Sequence, residues 1–365
     1  MKCIGAVALL LVLAGTSYAQ VGDPARGSTL YHTTYSCTNC HDDPLNPNNP
    51  VDKLVLLQGK TAAGILNAIN SNIPMFSFMN TLAQRPQDLA DLAAYIASLG
   101  PAPPASNYQG LWWAAPASSE SGWGINFAHQ GNIIFASWFT YDSTGKGMWL
   151  VMTANQTTPN NYAGTLYSTA GPAFNAVPFS PGQVVPTAVG NGTLSFSDGN
   201  NGTFSYTVNG VAQMKSITRE VFGTLPSCAP AASSASLVAA TNYQDLWWAA
   251  PAGSESGWGI NLNHEGDTIF ATWFTYDLDG SPMWLVATAN KSAAGVYAGT
   301  LYRTTGPPFN SVPFNPANVV PTAVGMATLT FADGNDATFA YTVNGIAQQK
   351  TITREVFSGF GTVCQ

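Results

Sequence analysis

The chain has 365 residues and a formal net charge of -7, and only 8% of its residues are charged. An acidic, weakly charged chain lacks the basic face that a phosphate backbone requires, which excludes nucleic acid as a partner. Abundant Gly, Pro, Asn, Ser and Thr point instead to a secreted, β-rich protein, long enough for two or three domains.

The first residues, "MKCIGAVALLLVLAGTSYAQ", place Lys2 ahead of an apolar run and small residues at Ser17 and Ala19. This is the pattern of a signal peptide over residues 1–19. The apolar run is too short to span a bilayer, and no later segment is apolar enough. The expectation is a periplasmic or extracellular protein with no membrane span in its mature form.

Residues 20–99 have a helical texture. Asp23 and Pro24 open one helix, and "PQDLADLAAYIASLG" places Leu89, Leu92, Ala93 and Ile96 on one face before Gly100 ends it. Between them stands Cys37-Thr38-Asn39-Cys40-His41. Two cysteines at this spacing reach two vinyl groups of one haem, and the next histidine falls under the iron. A zinc ribbon would need a second pair of ligands, and a redox dithiol would need a βαβ setting; neither is present, and a chance match is the remaining reading.

Over about residues 22–99 the block resembles the class I cytochromes c. The resemblance implies an all-α mono-haem domain with one covalent haem c on Cys37 and Cys40. It also implies His41 as proximal ligand and Met75, after Pro74, as distal ligand, with Met79 as the alternative. Gly27 and Tyr31 would meet Tyr95 where the first and last helices cross. A His/Met-saturated iron implies one-electron transfer to redox partner proteins rather than catalysis.

A Pro-rich linker, residues 100–106, leads to an internal duplication. "NYQGLWWAAPASSESGWGIN" from Asn107 returns as "NYQDLWWAAPAGSESGWGIN" from Asn242, an offset of 135 residues (242 minus 107). Through Phe222 and Phe357, 80 of 116 aligned positions are identical, so the copies are two units of one design. The first copy is placed at 107–223, a linker at 224–241 and the second copy at 242–365. Within each copy the side chains alternate with period two, as in "NIIFASWFTYD" and "GTLSFSDGNNGTFSYTVNG". Seven or eight strands per copy predict an antiparallel barrel or sandwich. The copies resemble tryptophan-rich segments of secreted bacterial proteins, a likeness that implies location rather than chemistry.

All ten tryptophans fall in the copies. Neighbours on a strand face opposite ways, so one member of each doublet, Trp112-Trp113 and Trp247-Trp248, should face outward as a ligand platform. His129 and His264 stand in turn contexts, and Asp142 and Asp277 read as turn formers. Glu120 and Glu255 recur in "SESGWG". The adjacent residues Arg219-Glu220 and Arg354-Glu355 point apart and would each find other partners. Cys228 and Cys364 form an even pair suited to a disulfide in an oxidising compartment.

The fold expected is multidomain: an all-α mono-haem cytochrome c domain followed by two all-β antiparallel barrels or sandwiches. The function expected is electron transfer, with the β copies as scaffold or docking modules. The alternative is a ligand- or surface-binding protein, for example for a polysaccharide, in which the aromatic β copies bind.

Overall fold

The computed structural model describes residues 22–35, 37, 65, 84–98 and 107–365. The chain divides into two units, Met1–Ala105 and Ser106–Gln365.

In the first unit, α1 (Pro24–Thr29) starts at Asp23, whose side chain accepts from the backbone N–H groups of Ala25 and Arg26. It continues into a π-helical turn, Leu30–Thr34. α2 (Pro86–Ser98) packs against it. A side chain at Gly27 would collide with the Asp91 carbonyl and the Tyr95 Cβ, so glycine permits this close approach. Tyr31 and Tyr95 meet with ring centroids 5.6 Å apart. Arg26 ties the pair through ion pairs to Asp88 (2.5 Å) and to Asp91.

The second unit is two closed eight-stranded meanders. The first comprises β1 (Gly110–Ala114), β2 (Gly124–Gln130), β3 (Ile133–Tyr141), β4 (Gly147–Thr158), β5 (Asn161–Ala170), β6 (Val185–Phe196), β7 (Asn201–Val208) and β8 (Val211–Arg219). It closes where Trp112 of β1 pairs with Arg219 of β8. A short strand β9 (Cys228–Pro230) and helix α3 (Ser234–Val238) follow. The second barrel comprises β10 (Asp245–Ala249), β11 (Gly259–Glu265), β12 (Thr268–Tyr276), β13 (Pro282–Ala293), β14 (Val296–Thr305), β15 (Val320–Phe331), β16 (Asp336–Val343) and β17 (Ile346–Arg354). Finally β18 (Thr362–Cys364) pairs with β9, and Cys228 is bonded to Cys364 with an S–S distance of 2.08 Å.

Each barrel is solid. Trp112, Ile125, Trp138 and Leu150 lie side by side across β1 to β4, all at most 1% exposed. Trp138 meets Phe204 of β7, a strand that is not its neighbour, at 5.2 Å, so the contact crosses the lumen. The opposite face of β3 and β4 is also buried, because it packs on the other barrel. Phe139 meets Phe274 at 6.1 Å and Trp149 meets Phe274 at 5.0 Å. The segment at 171–184 reaches into the second barrel, where Phe174 meets Trp273 at 6.1 Å; the matching segment at 306–319 brings Phe309 to 6.0 Å from Trp138. One hydrophobic cluster therefore runs through both barrels, and the two copies share a core.

The expectation of an all-α mono-haem cytochrome c domain is corrected. The described residues are dominated by the two barrels, with three short α-helices. Among them no group of three or more His, Cys, Asp or Glu is placed to hold a metal ion. The family reading, and with it the electron-carrier function and its redox partners, is withdrawn. Two short helices crossing at a glycine are a packing solution open to many folds, and a five-residue motif does not specify the architecture around it. Cys37 is described and packs against the cluster of α1 and α2; Cys40, His41, Met75 and Met79, like the 1–19 segment, lie outside the described residues.

Candidate ligand-binding clefts between the barrels

The tryptophan doublets split as strand alternation requires. Trp112 and Trp247 fill the barrel interiors at 0% exposure, under the guanidinium groups of Arg219 (5.0 Å) and Arg354 (5.2 Å). They are closed to any ligand. Trp113 and Trp248 face outward and are half-buried, each walling a cleft at the junction of the barrels.

The first cleft, of about 190 Å³, is lined by Trp113, Trp123, Phe139 and Glu220 from one barrel and by Phe270, Trp284 and Thr304 from the other. The second, of about 140 Å³, is lined by Trp248, Trp258, Phe274 and Glu355 against Phe135, Trp149 and Thr169. Adding 135 to the first-barrel members and subtracting it from the second-barrel members turns one set into the other. Across the repeats 36 of 116 positions differ (116 minus 80), yet among the residues of the first cleft only Thr272 changes type, to Ser137. The clefts are therefore retained together more closely than the repeat as a whole.

Glu220 stands opposite Leu111, on the outward face that carries Trp113, and its backbone N–H donates to the Leu111 carbonyl. Burial pushes its carboxyl up to about 7, and the nearby Glu265 adds to the effect. Glu355 is likewise pushed up to about 7 by burial, with Asp245 contributing. Among the described residues no cation pairs with either. Their neighbours are already engaged. Glu265 accepts from the N–H groups of Phe222 (2.8 Å) and Gly223 (2.6 Å), and Asp245 pairs with Arg354 at 3.1 Å, both side chains fully buried. Arg219 has Gly110 where Arg354 has Asp245; both guanidinium groups donate to equivalent carbonyls, those of Gln109, Asn107 and Gly199 for Arg219 and of Gln244, Asn242 and Gly334 for Arg354.

The recurring "ESGW" builds the cleft wall. Glu120 accepts from Trp123 Nε1 (2.8 Å) and from Lys215 Nζ (2.5 Å), while the ammonium sits 5.2 Å from the Trp123 ring centroid. Glu255, Trp258 and Lys350 repeat the arrangement. Gly122, at φ +120°, lies so close to Val319 that a Cβ would clash. Trp284 Nε1 is bonded to the Thr140 carbonyl, whereas Trp113 Nε1 is buried without an acceptor among the described residues.

The histidines are the penultimate residues of strands β2 and β11 and are buried, not in turns. His129 Nδ1 accepts the Tyr108 N–H at 3.0 Å, which places its proton on Nε2, facing the Gly131 carbonyl at 3.0 Å. His264 accepts the Tyr243 N–H likewise. Burial pushes both down to about 4, so they are neutral structural groups. Asp142 closes a turn by accepting from the N–H groups of Thr144 and Lys146. What sequence reasoning missed is Glu220 and Glu355 as cleft residues. Their one signal was the outward phase they share with the second tryptophan of each doublet.

No family model and no curated protein matches the chain. Among solved structures it is similar to a double mutant of the transferrin binding protein B vaccine antigen of Haemophilus parasuis Hp5, at 9% identity and a TM-score of 0.18. The match covers 66% of this chain and 60% of that one, so the chain spans about three fifths of the other's length. Among the described residues no helix is long and apolar enough to cross a membrane.

Proposed function

We propose that this chain is an extracytoplasmic ligand-binding protein whose paired barrels form the binding part. The observation that carries the reading is the matched pair of clefts, each with three indoles around one carboxylate that no cation among the described residues pairs with. Concave, mainly aromatic sites with a few convergent polar groups are where small ligands bind. No described nucleophile, acid and base converge there, which favours binding over turnover. The Cys228–Cys364 disulfide supports an oxidising compartment.

The test is a screen of the full chain against glycans, insoluble polysaccharides and small molecules, read by retention and by tryptophan fluorescence. Binding should be lost in the Trp113→Ala, Trp248→Ala double variant while its far-ultraviolet dichroism is kept. A ligand held equally well by that variant would place binding elsewhere.

A covalent haem c on Cys37 and Cys40, with His41, is a separate proposal that rests on the motif alone and carries no assigned role. An alkaline pyridine spectrum of the purified protein without a haemochrome band would end it.

A further inference from the structure

Resting on the cleft reading, we infer that each cleft takes a small organic ammonium ion, its charge set against Glu220 in one cleft and Glu355 in the other. Three features of the clefts converge on this ligand class.

The first is charge. A carboxylate in such surroundings needs a counter-charge, and the described structure supplies none. The charged group that acts on Glu220 is another acid, Glu265, so the field of that cleft favours a cation; beside Glu355 the neighbouring Asp245 is already paired with Arg354.

The second is the wall. Trp113, Trp123 and Trp284 surround the first cleft and Trp248, Trp258 and Trp149 the second. Indole faces attract ammonium groups, and several of them around one carboxylate suit an alkylated cation.

The third is the scarcity of hydrogen-bonding groups. Ser121 Oγ donates to the Ser118 carbonyl, Thr304 Oγ1 accepts from Tyr141, and the Trp123 and Trp284 N–H groups are taken, while the Trp113 N–H is buried away from solvent with no acceptor among the described residues. A sugar would bury hydroxyls with few partners, at a cost for each, whereas a quaternary ammonium requires no hydrogen bond. Volumes of about 190 and 140 Å³ admit a head group of a few carbons and not a polymer chain.

The experiment compares choline and phenyltrimethylammonium with 3,3-dimethylbutan-1-ol, the neutral isostere of choline, using the full chain at pH 8 and tryptophan fluorescence. Saturable binding of at least one cation is expected, with the isostere at least ten-fold weaker. Glu220→Gln, Glu355→Gln should weaken the cation at least ten-fold and leave the isostere unchanged. No saturable binding of either cation, equal binding of the isostere, or no effect of the glutamines overturns the ammonium assignment. The cleft reading itself fails on a different result, retention of a screened ligand by the Trp113→Ala, Trp248→Ala variant.

Discussion

Trp149 donates its indole N–H to the Thr275 carbonyl across the barrel boundary at 3.0 Å, and Trp284 returns the bond to Thr140 at 3.1 Å. Tyr141 to Thr304 and Tyr276 to Thr169, both 3.1 Å, repeat the exchange. Such reciprocity is the mark of an isologous interface, here between two copies in one chain. Trp284→Ala should therefore destabilise by about 3–5 kcal/mol. Trp284→Phe keeps most of the volume but strands the Thr140 carbonyl, and should cost about 1–3 kcal/mol. Because one cluster spans both barrels, they should unfold together. Calorimetry resolving separate transitions for the two barrels would contradict this.

Period-two alternation and a gap-free offset of 135 made the paired β units legible. The split of each doublet into an inner and an outer tryptophan follows from strand geometry alone. Alternation does not say what covers the outer face. Phe139 and Trp149 stand on that outer face, and only the other barrel, which covers them at Phe274, accounts for their burial. Glu220 was hidden for the same reason, since the Phe270 and Trp284 that share its cleft come from the second copy. The helical block misled in the opposite way. A short motif and a helix-crossing glycine were specific locally, but neither reports the architecture of the chain.

The buried histidines set a pH dependence. His129 and His264 have an ordinary value of 6.5 and sit at about 4 in the fold, because burial disfavours their charged form. The unfolded chain then binds more protons between these values, so stability is full above about 6.5 and falls as pH drops toward 4. The gap corresponds to at most about 3.4 kcal/mol per histidine. Urea midpoints of His129→Gln, His264→Gln should fall less steeply than wild type over that window. A parallel decline would show that other groups dominate.

Glu120 holds Trp123 and Lys215 at once. Glu120→Gln keeps an acceptor for the indole but removes the charge opposite Lys215, a mostly buried ammonium. Glu120→Ala removes both. The expected losses are about 1 kcal/mol for Gln and about 2–3 kcal/mol for Ala. Chemical denaturation measures both, and an alanine variant as stable as wild type would mean that the "ESGW" motif is not held by this contact.

Glu220 and Glu355 give the opposite slope. Their ordinary value is 4.5 and burial raises them to about 7, so the folded chain binds more protons between these values. Stability from this source is present below 4.5 and is lost as pH rises through 7. Between 4.5 and 6.5 the histidine and glutamate effects oppose each other. At pH 8 the histidines are neutral in both states, which isolates the carboxylates. There Glu220→Gln, Glu355→Gln should be more stable than wild type, by roughly 1–3 kcal/mol per site once residual solvent screening is allowed for. Near pH 4 the gain should disappear. A charge kept at such a cost in both copies fits a binding role, since function is the usual reason for retaining a destabilising group. Equal stability of variant and wild type at pH 8 would show that these carboxylates are adequately solvated and would remove that support.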